Sequence, residues 1–115
     1  MIDVDVWVRG RQDAAVQRVS GVEADAAEWT DSDVKTLLEG MLLALQRTND
    51  PAGDPPPVTL RGFSWIVSPD DGGVLVHLEM QLGTVSAGPF AIGEHRLTDM
   101  INRVLGGPRV SKLVH

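Results

Sequence analysis

Ile2, Val4, Val6 and Val8 alternate with Asp3, Asp5, Trp7 and Arg9, the two-residue period of a strand with one buried face. Turn residues occupy Gly10 to Asp13, and the next segment, 14–22, carries two readings. Val16 and Val22 suit one face of a strand, whereas Asp13 and Gly21 would cap a short helix. A strand pairing back on the first is the preferred one.

Thr30-Asp31-Ser32-Asp33 opens the clearest element. Thr30 can cap free amides, Asp33 stands at the reciprocal capping-box position, and the acids suit the positive end of a helix dipole. Val34, Leu37, Leu38, Met41, Leu42 and Leu45 then recur on one helical face. Pro51 disfavours helical geometry in the residue before it, so the helix should end near 47–49. The Asn49–Pro57 stretch, with its run of prolines, reads as a stiff connection.

From Val58 to Leu82 the pattern is a long hairpin turning at Pro69-Asp70-Asp71-Gly72. A short strand near Ser86–Ile92 follows, which Pro89 places at an edge or an irregular end. Leu97, Met100, Ile101, Val104 and Leu105 mark a last helix over about 94–105, stopped by Gly106-Gly107-Pro108. The expected fold is α+β, in the order β-β-α-β-β-β-α. It comprises a single-layer antiparallel sheet of four to five strands with two amphipathic helices on one face. Residues 1–108 form the domain and 109–115 a tail. The tail's Val110, Leu113 and Val114 would suit strand addition to a neighbouring sheet.

The hairpin register decides which aromatic side chains are core, because a one-residue slip moves every side chain to the other face. A four-residue loop closing on Ser68 and Gly73 puts Phe63, Trp65 and Val67 with Val74, Val76 and Leu78. Ser64, Ile66, Leu75, His77, Glu79 and Gln81 then face away from the core. A five-residue loop closing on Val74 would instead expose Arg61, Phe63 and Trp65 beside His77 and Glu79. Pro-Asp-Asp-Gly suits the four-residue turn and selects the first register. Interface candidates are therefore Trp7, Ile66 and Leu75, with Phe63 and Trp65 taking the place of Ile66 in the second register.

Composition narrows the chemistry. The 115 residues suit one domain, and the absence of Cys excludes disulfides, a thiolate nucleophile and Cys-ligated metal centres. A formal charge of −6 opposes nucleic-acid binding, which needs a surplus of Lys and Arg. Acids near the start do not fit a secretory signal, and the longest apolar run, Met41–Leu45, is far short of the roughly 20 residues that span a bilayer. A cytoplasmic protein without a membrane partner is expected. The charge is also uneven: residues 1–57 hold eleven acids and five bases, whereas 58–115 hold five of each. That division nominates the neutral second half as the contact surface, where copies repel least.

No catalytic motif emerges. Gly83-Thr84-Val85-Ser86-Ala87-Gly88 approaches a nucleophile elbow with its first glycine one residue too early. Asp31-Ser32-Asp33 starts like a calcium loop but meets Lys35 at the third ligand position and Thr36 where glycine belongs. Asp3 and Asp5 share a strand face with no third ligand, so neither a metal nor another cofactor is expected. His77 and Glu79, two apart on one strand face, are the best acid–base candidates, with Arg61 and Gln81 as nearby anion-binding groups. The leading expectation is a noncatalytic interaction module, a homodimer or a partner of another protein, joined through an uncovered sheet face or an edge strand. The alternative is a small-ligand-binding protein or enzyme around His77 and Glu79.

Overall fold

Three successive valines of one parity, Val4, Val6 and Val8, are buried while their neighbours are exposed, so the first strand, β1 (Ile2–Val8), has one wet and one dry face. The computed structural model describes residues 2–53, 60 and 62–106. After β1 come β2 (Ala15–Val19), a 3-10 turn (Ala26–Glu28) and helix α1 (Asp31–Asn49). Strands β3 (Ser64–Asp70), β4 (Gly73–Met80) and β5 (Gly83–Phe90) follow, then helix α2 (Glu94–Leu105). The five strands form one antiparallel sheet in the order β2-β1-β5-β4-β3. The fold is α+β, in the order read from the sequence.

Within 14–22 the strand is Ala15–Val19, with Val16 exposed and Val22, beyond its end, buried, so these two valines do not share a face; the capping box of α1 is complete. Thr30 Oγ1 accepts from the Asp33 amide, and the Asp33 carboxylate accepts from the Thr30 amide at 2.9 Å. All six residues of the α1 stripe are buried, together with Leu97, Met100 and Ile101 of α2. They pack on Val4, Val6, Val19, Val76, Leu78 and Val85 from the sheet. Removing an apolar side chain from water contributes about 1.5–3 kcal/mol, which explains why both helices lie on this face.

Three expectations change. Asp70 pairs with Gly73, so Pro69 and Asp70 belong to β3 and the loop is only Asp71-Gly72, with Gly72 at φ 91°. This register differs from the expected one by two residues, so the faces are the same and Trp65 and Val67 remain on the core side. Secondly, β3 starts at Ser64 rather than Val58. Leu60, Gly62 and Phe63 are irregular, and 58, 59 and 61 lie outside the described residues. Thirdly, the strand containing Pro89 is central, not an edge, and begins at Gly83 directly after a two-residue turn, Gln81-Leu82. Pro89 is accommodated where the β4–β5 register shifts between Val74 and Val76, an irregular end of the strand. Gly83 makes the close approach of β1 possible, since a Cβ there would lie 1.9 Å from the Trp7 carbonyl oxygen.

Arginines tie the periphery to the core. Arg11, beyond β1, donates to the carbonyls of Thr48 and Asn49 at 2.8 and 3.2 Å, placing a cation at the negative end of α1. Arg96 of α2 donates to the carbonyls of Ala27 and Trp29 and anchors the 3-10 turn. Trp29 itself is buried, stacks edge-on against Phe90 and donates its indole N–H to the Ala24 carbonyl. The Asn49–Pro57 connection is described only to Gly53, and the 109–115 tail lies outside the described residues.

Candidate functional site

With both helices on one side, no element among the described residues covers the opposite face of the sheet, and strand registers fix which side chains meet there. One row across all five strands reads Val16, Asp5, Ser86, His77 and Ile66. The adjacent row reads Trp7, Thr84, Glu79 and Ser64 over β1, β5, β4 and β3. The exposed large hydrophobic residues Trp7, Val16 and Ile66 all lie in these two rows, at 41, 66 and 58% exposure. Leu75, on the same face, is half-buried.

His77 is fixed at the centre of its row. Its Nδ1 lies 2.7 Å from Ser86 Oγ and its Nε2 3.2 Å from Ser68 Oγ. A neutral imidazole can satisfy both contacts, donating at one nitrogen and accepting at the other. Glu79 is exposed, and no hydrogen bond joins it to His77. The expected acid–base pairing is therefore replaced by a Ser–His–Ser arrangement. Its serines come from neighbouring strands, which no spacing along one strand can reveal.

Beside His77 lies an open hollow of about 370 Å³ lined by Ser64, Trp65, Ile66, His77, Glu79 and Thr84. Ser86 does not line it, so the hydroxyl closest to the imidazole is not presented to an occupant. Phe63 and Trp65 are half-buried against the core, apart from Trp7 and Ile66. Gln81 sits in the β4–β5 turn, where its carbonyl accepts from Arg9 Nε at 3.0 Å. Arg61 lies outside the described residues. Asp3 pairs with Arg18 at 3.2 Å. Among the described residues, no group of three or more His, Asp or Glu could hold a metal, and no helix is long and apolar enough to cross a membrane. Val16 is the surface residue that periodicity alone did not nominate; its pairing with Asp5 places it on the open face.

A second hollow, about 460 Å³, lies at the other end of β1 between Ile2, Glu23, Asp25, Ala26, Trp29 and Phe90. Its aromatic floor is part of the core packing described above. No protein-family model matches this chain, and no curated protein or solved structure matches it.

Proposed function

We propose that this protein is a noncatalytic cytoplasmic interaction module that self-associates through the uncovered face of its sheet. The observation that carries this reading is the gathering of Trp7, Val16 and Ile66 onto one face of a single-layer sheet. Exposed apolar groups collected in this way mark contact surfaces, whereas scattered ones carry no such meaning. Five strands of about seven residues, at about 4.8 Å between strands and 3.3 Å per residue, give a face of roughly 24 × 23 Å. Two such faces bury on the order of 1,100 Å², near the lower end for specific complexes.

The edges support this choice less well. In β3, Pro69 removes one N–H from the ladder, a feature that blunts edge pairing. The β2 edge lacks that protection and is the subordinate route. A small ligand in the hollow beside His77 and Glu79 is the second reading, favoured by the hollow itself. Both imidazole nitrogens are already engaged by serines, which leaves Glu79 as the ionisable group that would meet it. Light scattering at high micromolar concentration tests the main reading: twice the chain mass is expected, and a monomer sinks it. For the second, a ligand from a thermal-shift screen must lose its effect in the Glu79→Gln variant.

A further inference from the structure

We propose that the second copy docks about a two-fold axis running along β5, so that the two rows of the open face complement themselves. This rests on the face association proposed above and specifies its geometry. In the order β2-β1-β5-β4-β3, β5 is central. A two-fold axis lying between two facing sheets and along β5 exchanges β1 with β4 and β2 with β3. Twisted sheets packed in this aligned way cross at about −30°, so the axis runs close to parallel with the strand.

The registers then dictate the facing pairs. Val16 of one copy lies over Ile66 of the other, joining the two large apolar side chains most exposed among the described residues, at 66 and 58%. Asp5 lies over the serine-bound ring of His77 and not over another carboxylate. Trp7 lies over Glu79, and the hollow of about 370 Å³ beside Glu79 receives its ring. The indole N–H, without an acceptor among the described residues, then has the Glu79 carboxylate within reach. Each pair occurs twice, as an isologous interface requires. Sliding one sheet by two residues, the spacing of same-face side chains, would set Asp5 against Glu79 or leave Val16 over a serine. Avoidance of like charge and apolar matching therefore both favour this register.

The Cys-free chain permits a direct test. Val16→Cys and Ile66→Cys are made as separate variants, both at exposed positions on opposite edge strands. They are mixed at high micromolar concentration and treated with a short bis-maleimide. Facing positions lie across a sheet separation of about 10 Å, whereas two copies of the same position are four strands, about 19 Å, apart laterally. The mixture should give several-fold more covalent dimer than either variant alone. Wild-type protein that is dimeric by light scattering, with no excess cross-linking in the mixture, would overturn the axis while leaving face association standing. Monomeric wild type would overturn both.

Discussion

His77 gains its environment from residues nine positions away in both directions, Ser68 and Ser86. Hydroxyls at this half-exposed site can turn to water when the ring is removed, so His77→Ala should cost no more than about 1 kcal/mol in urea unfolding. A loss of several kcal/mol would assign the imidazole a core role that its exposure does not suggest. Gly40 behaves oppositely. A Cβ there would meet Val19 Cγ1 at 2.4 Å, so α1 rests directly on β2 through a missing side chain. Gly40→Ala gains roughly 1 kcal/mol of helix propensity but overpacks a buried contact, which typically costs about 1–3 kcal/mol. A net destabilisation is expected, relieved when Val19→Ala is added; additive losses in that double variant would refute the contact. The sequence shows Gly40 only as a weak helix residue, because the reason for it lies on another strand.

At the scale of elements, α1 was legible almost to the residue, because its stop and start are local. Thr30→Ala removes the capping acceptor and should lower stability by about 1 kcal/mol, read from the shift in urea midpoint. The link between helices was not legible: Arg103 of α2 grips Asp31 with two bonds of 2.9 Å each. Hydrogen bonding to Arg103 is the main reason that the Asp31 carboxyl is held below its ordinary range, with the opposing charge adding to it. A depressed folded-state value means that this contribution is present above the ordinary Asp range, near pH 3.9, and fades as pH falls through the lower folded value. The stability difference between wild type and Arg103→Gln should therefore be largest near neutrality and shrink in acid. A difference independent of pH would contradict the ion pair. Strand β5 shows the reverse case. Gly83-Thr84-Val85-Ser86-Ala87-Gly88-Pro89 has little apolar content and a proline, so local pattern understated it. Its central place comes from Val85 and Ala87 packing under the helices and from glycine allowing β1 to approach.

Across the whole molecule, the acidic and neutral halves of the chain interleave. The acidic half's β1 pairs with the neutral half's β5, so the charge division does not correspond to two separate surfaces. The open face draws Asp5, Trp7 and Val16 from one half and Ile66, His77 and Glu79 from the other. Ile66→Lys should abolish dimer mass in light scattering while moving the urea midpoint by no more than about 0.5 kcal/mol of stability, as expected for an exposed site. A dimer retained in this variant would remove Ile66 from the interface. What the sequence by itself determined was the class, the element order, the two buried helix stripes, the parity of β1 and, through the turn residues, that of the hairpin strands. These follow from side-chain periodicity and capping, which are properties of neighbours along the chain. Only the tertiary structure decided strand order, the two-residue turn, the serines around His77 and the row from Val16 to Ile66. Those depend on pairing between distant segments, where burial of one shared core selects a single arrangement from many that satisfy the same local pattern.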